Sequence, residues 1–113
     1  MMGSTSLSKE KAVPPAIKIA NLKIDFARHE VSLGDFTLDL SPKEFDLLAL
    51  LARNRGRAFT RDYLLEKVWG YDYSGGTRTV DVHIRWLRRK IETAPAHPQH
   101  LLTIRGVGYK FEE

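Results

Sequence analysis

Arg78, Arg85, Arg88, Arg89 and Lys90 fall within the sixteen residues 77–92, which read TRTVDVHIRWLRRKIE and hold two anions, Asp81 and Glu92. A guanidinium offers a rigid fork of donors that matches a phosphate or the O6 and N7 atoms of guanine. Stepping about 100° per residue around a helix, Val80, Ile84, Leu87 and Ile91 share one narrow sector. Arg78, Val82, Arg85 and Arg89 lie opposite, with Trp86 at the edge. Such a face combines bidentate donors with an aliphatic group that can touch a thymine methyl, a composition able to read base edges. Solvated helix faces intersperse both signs and avoid valine and tryptophan, and this face does neither. Asp81 is the exception, and its expected role is to partner a neighbouring arginine.

Other chemistries find little support. The chain has no cysteine, which removes disulfides, thiol nucleophiles and thiolate metal sites. His97 and His100 lie in a proline-rich loop without nearby carboxylates, so no metal site is expected there. Gly106-Val-Gly108 is a fragment of a nucleotide-binding loop, but the pattern around it is strand and strand, with no helix to follow. No Ser/His/Asp constellation stands out, and neither catalytic residues nor a cofactor is expected. The 113 residues, 42% hydrophobic, suffice for one domain with one core. The net charge of +4 is concentrated in 77–92 and in a second cluster at Arg53, Arg55, Arg57 and Arg61. Clustered cations favour a polyanionic partner, either nucleic acid or an acidic membrane surface. No apolar run approaches the ~20 residues of a membrane span, and no signal peptide is evident, so a reducing cytoplasm is the expected compartment.

Changes of period mark the segments on either side of the basic helix. Residues 1–16, polar and ending in prolines, read as a disordered linker or a remnant outside the fold, with the domain proper over 17–113. From Ile17 the period is two, and Leu22, Ile24, Phe26, Val31, Leu33, Phe36, Leu38 and Leu40 make one apolar face of an antiparallel meander. Ser41-Pro-Lys-Glu44 is a capping box that opens a helix over about Pro42 to Arg53, with Phe45, Leu48, Ala49 and Ala52 as its stripe. Thr60 is an N-cap candidate for a second helix carrying Leu64, Leu65, Val68 and Trp69 to a stop at Gly70. Residues 70–76, GYDYSGG, form a loop, a third helix spans 77–93, and a hairpin over 102–111 turns around Gly106-Val-Gly108. A helix, a loop and a longer basic helix followed by a small hairpin make an α+β winged helix-turn-helix.

Leu40-Ser-Pro-Lys-Glu-Phe45, Leu64-Leu-Glu-Lys-Val-Trp-Gly70, Arg78-Thr-Val-Asp-Val-His-Ile-Arg85 and Thr103-Ile-Arg-Gly-Val-Gly-Tyr109 together resemble the signatures of the OmpR/PhoB-type DNA-binding effector domain of bacterial two-component response regulators. The resemblance covers about residues 17–112. It implies an N-terminal four-stranded antiparallel sheet, three helices with the third in the major groove of double-stranded DNA, and a C-terminal β-hairpin wing. By position it implies Arg78, Thr79, His83 and Arg85 at phosphates and groove walls and Val82 and Arg88 near bases. Arg89 continues the same face. Trp69 and Tyr109 would contact phosphate, with Thr103 and Arg105 on the wing and Arg105 in the minor groove. The loop residues Tyr71, Asp72 and Tyr73 match a segment that contacts RNA polymerase in some members; the alternative is that Tyr71 and Tyr73 simply anchor the loop. Trp86 stands where many members carry a basic residue. An indole has one donor and no acceptor, so it cannot make a bidentate guanine contact; it covers sugar and methyl surface or packs against the wing. Such regulators carry an N-terminal receiver domain, and nothing before Ile17 could form one, so the expected chain is an excised effector half or a stand-alone domain. It is expected to be a monomer in solution that pairs on tandem direct-repeat half-sites. The other reading is a winged-helix module using the same surface for protein or for nonspecific nucleic acid.

Overall fold

The computed structural model describes residues 15–113; of the stretch read as a linker, residues 1–14 lie outside the described part. Four short strands, β1 (Ala16–Ile19), β2 (Leu22–Asp25), β3 (Glu30–Leu33) and β4 (Phe36–Thr37), form an antiparallel meander in sequence order. Leu22, Ile24 and Val31 turn their side chains into the core as the period of two requires. Phe36 departs from the expected apolar face: it is 76% exposed on the two-residue edge strand. Thr37 is exposed as well, so neither face of this edge strand packs on the core.

Helix α1 (Pro42–Arg53) begins at the expected capping box. The Ser41 hydroxyl accepts from the Glu44 amide at 3.2 Å, and the Glu44 carboxylate accepts from the Ser41 amide at 2.8 Å. Its buried stripe is wider than the four residues expected, taking in Leu47 and Leu51 as well, because the helix packs between α2, α3 and the C-terminal sheet. Glu44 itself is buried and takes Lys90 Nζ at 2.9 Å, while the same ammonium donates to the Asp39 carbonyl at 2.8 Å. Burial pushes the Glu44 carboxyl upward, but the Ser41 amide and Lys90 more than offset this and hold it below its ordinary value of 4.5. Its contribution is therefore complete above pH 4.5 and is lost as the pH falls through the depressed folded-state value. Glu44→Ala removes half of a capping box and strands a partly buried ammonium, so a loss of about 2 kcal/mol is expected at pH 7. In urea titrations the gap between the two chains should close in acid; a gap that persists unchanged at pH 3 would contradict the assignment.

Helices α2 (Arg61–Trp69) and α3 (Arg78–Ile91) follow. Thr60 caps α2, its hydroxyl accepting from the Tyr63 amide at 3.1 Å, and Gly70 stops it with a φ of 100°. Val80, Ile84, Leu87 and Ile91 are the buried residues of α3, the sector expected from the 100° step. Glu92, after the last turn, is 7% exposed and accepts from the amides of Gln99, His100 and Leu101 at 2.8, 2.9 and 2.7 Å. It thereby fixes where the chain enters the wing.

The wing is β6 (Leu101–Ile104) and β7 (Gly108–Phe111), a hairpin shifted one residue toward the N-terminus from the expected bounds at both strand starts. It is part of a three-stranded sheet, because β5 (Ala58–Thr60) pairs antiparallel with β7 in the order β5-β7-β6. This strand was not foreseen. Three residues with one buried side chain, Phe59, carry no readable period, and Thr60 already serves as a helix cap.

Candidate nucleic-acid interface

The five cations of 77–92 divide between three that point to solvent and two, half-buried, that are tied back onto the protein. Arg78, Arg85 and Arg89 are exposed. Lys90 is turned back onto Glu44 and Asp39, as described, and Arg88 is held by the wing. The Arg88 Nε donates to the Leu101 carbonyl and an Nη to the Thr103 hydroxyl, both at 2.9 Å, and its guanidinium lies 5.7 Å from the centre of the Tyr109 ring. Burial lowers its pKa from the ordinary guanidinium value, with Tyr109 and Glu92 opposing that shift. Arg88, expected near bases, thus sits in the free domain as a tie between α3 and β6.

A second tie joins α2, α3 and β7. Asp81 Oδ1 accepts from Arg61 Nε at 2.7 Å and from the Tyr109 hydroxyl at 2.6 Å, and Arg61 lies 5.3 Å over the Tyr109 ring. The arginine that Asp81 was expected to partner is therefore Arg61, twenty positions earlier and on another helix, rather than a helix neighbour. Asp81 raises the Arg61 pKa; burial first and Asp81 second raise that of Tyr109 above 10.0, so its phenol keeps its proton at neutral pH. Tyr109, expected at a phosphate, is buried with its hydroxyl committed to Asp81. Arg61 was counted in the sequence only as charge; the signal that could have singled it out is the lone aspartate on a basic face.

Aromatic rings line the other flank of α3. His83 stands edge-on to Trp69 with centroids 4.8 Å apart and touches Trp86 at 4.9 Å. Its Nδ1 bonds the Thr79 carbonyl at 2.9 Å; because a carbonyl can only accept, Nδ1 carries the proton. Trp86 is exposed beside His83, while Arg88 occupies the wing side of the helix. In the loop, the Tyr73 hydroxyl meets Thr79 Oγ1 at 3.1 Å and its ring leans on Trp69 at 6.2 Å, which anchors the loop to the start of α3. A Cβ on Gly75 would lie 2.4 Å from that ring. Tyr71 and Asp72 point into solvent, Tyr71 with 85% exposure.

At the wing tip the Val107 amide closes a turn on the Ile104 carbonyl at 2.9 Å, and Gly106 takes φ 78°, the sign a type II turn demands at its third residue. Arg105 and Thr103 are exposed there. Strand, turn and strand around Gly106 leave no helix N-terminus for a dinucleotide. His100 stacks on Phe111 and bonds the Glu112 carbonyl, and among the described residues no group of three metal-ligating side chains occurs. None of the described helices is long and apolar enough to cross a membrane.

The family described as "Transcriptional regulatory protein, C terminal" matches residues 35–111. The sensory transduction protein RegX3 of Mycobacterium leprae is 54% identical over 91 residues, covering 80% of this chain and 46% of that protein. Among solved structures, the response regulator DrrB of Thermotoga maritima, an OmpR/PhoB homolog, superimposes with a TM-score of 0.87 at 33% identity over 99% of this chain and 51% of its own. The RstA DNA-binding domain of Klebsiella pneumoniae, solved in complex with the RstA box, gives 0.76 at 38% identity over 86% and 96%. The chain spans less than half the length of the curated relatives it matches.

Proposed function

Because the chain belongs to the family of C-terminal domains of OmpR/PhoB-type transcriptional regulatory proteins, a family of DNA-binding effector domains and not of enzymes, we propose that it binds double-stranded DNA sequence-specifically for a bacterial two-component response regulator. In this reading α3 lies in the major groove with Arg78, Val82, Arg85, Trp86 and Arg89 toward the DNA, and Arg105 on the wing reaches the adjacent minor groove. The observation that carries it is the division of α3 into a buried face of Val80, Ile84, Leu87 and Ile91 and an exposed face of arginines beside the wing. Phosphate contacts, from Arg78, Thr79 and the Trp69 indole, supply affinity, and base contacts supply selectivity. Arg88 and Tyr109 hold α3 against the wing; the Tyr109 hydroxyl can donate to a phosphate only by giving up Asp81, whereas Arg88 keeps guanidinium N–H donors beyond those bonded to Leu101 and Thr103.

One such domain covers too few base pairs to locate a genomic site. Two copies on direct-repeat half-sites about one helical turn apart satisfy that need, and the domain itself is a monomer until DNA brings two together. Tyr71 and Asp72, exposed on the loop before α3, are the residues proposed to face RNA polymerase, with Tyr73 as the anchor. A receiver domain in the same regulator and action in the bacterial cytoplasm complete the reading.

Selection of bound duplexes from a random-sequence pool near physiological salt tests it. The expected result is a repeated short motif, bound at least about a thousandfold more tightly than scrambled duplex. Salt-sensitive binding with no enrichment would make α3 a phosphate-binding surface and overturn the sequence-specific reading.

A further inference from the structure

The apolar side chains of α3 are buried apart from two: Val82 is half-buried and Trp86, four residues on, is 43% exposed. Positions four apart on a helix are neighbours on its surface, so valine and indole make one continuous apolar patch. Arg85 and Arg89 flank it, both exposed. The indole is also propped. His83 lies 4.9 Å from it, stands edge-on to Trp69 at 4.8 Å, and is pinned by its own bond to the Thr79 carbonyl. A ring supported in this way loses little side-chain freedom on docking. With one donor and no acceptor it cannot take a guanine edge as a guanidinium does. On the edges of the four bases in the major groove, the apolar group is the C5 methyl of thymine.

We propose that Trp86, with Val82 beside it, reads thymine methyl groups in the major groove and is a specificity-determining residue of the domain. The proposal rests on the placement of α3 proposed above. It makes the preferred half-site carry one or two thymines whose methyl groups, and not merely their hydrogen-bonding edges, are recognised.

The experiment replaces each thymine of the selected duplex, one at a time, by deoxyuridine, which keeps every hydrogen-bonding atom and removes the methyl. Dissociation constants are measured for the unaltered chain and for Trp86→Ala. The expected result is a loss of about fourfold at one or two positions for the unaltered chain, the cost of about one methyl group left in water, and no loss at those positions for Trp86→Ala. The first arm needs no variant to fold. If a motif is selected but no thymine shows a methyl effect, or if the effect survives in Trp86→Ala, the indole covers sugar or solvent and the proposal fails while the DNA-binding reading stands. If no motif is selected at all, both fail together.

Discussion

Arg85→Ala is expected to weaken binding to the preferred duplex by tenfold to a hundredfold, with no loss of folding stability. The side chain is exposed on the face of α3 opposite its buried sector, and among the described residues no carboxylate pairs with it. Its removal therefore leaves no orphaned partner inside the protein. Two kinds of contact can be told apart. If Arg85 reads a base edge, the loss corresponds to about 1–3 kcal/mol and falls on the preferred sequence and not on scrambled DNA. If it meets a phosphate, binding weakens on both, and the slope of log affinity against log salt becomes shallower by about one. Arg88→Ala should behave differently, because Arg88 holds the wing through Leu101 and Thr103. An Arg85→Ala chain with unaltered affinity and unaltered salt slope would remove α3 from the interface.

The largest effect on the fold is expected at Gly108. A Cβ built there would lie 2.1 Å from the Phe59 carbonyl oxygen and 3.1 Å from Thr60 Cα, both backbone atoms of β5. No rotamer change relieves a clash with backbone, so Gly108→Ala has to push β5 away from β7. Phe59, buried in the core, and Thr60, the cap of α2, would move with it. A loss of about 3 kcal/mol is expected, or a fall in Tm on the order of 15 °C for a domain of this size, read by thermal circular dichroism. Gly106→Ala, in open space but at φ 78°, should cost nearer 1 kcal/mol. A Gly108→Ala chain melting within about 2 °C of the unaltered one would mean that β5 does not pack against the wing as described. The two glycines of the Gly-Val-Gly motif thus serve different ends: one turns the chain and the other lets two strands meet.

Each local feature legible in the residues rests on interactions within a few positions. The capping box from Ser41 to Glu44 spans four residues, and the buried sector of α3 needs only the step of a helix and four apolar side chains. The stop at Gly70 needs a residue that tolerates positive φ, and the hairpin at Gly106 needs alternation on either side of a turn residue. Such signals are written where they act, so the helices, the meander and the wing could be anticipated, as could the outward face of Arg78, Arg85 and Arg89. The resemblance to a known family added the order in which these elements face DNA.

What lay beyond reach depended on partners distant in the chain. Helix geometry told Arg78, Arg85 and Arg89 from the rest, but nothing within 77–92 showed that Lys90 closes on Glu44, forty-six positions away, or Arg88 on the wing. The strand β5 exists because β7 offers it an edge, and three residues carry no period of their own. The Arg61–Asp81–Tyr109 tie draws one residue from each of three elements. Apart from β5 and the side of the meander at Phe36, the residues themselves set the elements and the faces they bury, since helix and strand periods are properties of the local chain. Tertiary structure decided which charges remain available to a partner, because an ion pair forms only where two distant side chains are brought within hydrogen-bonding reach.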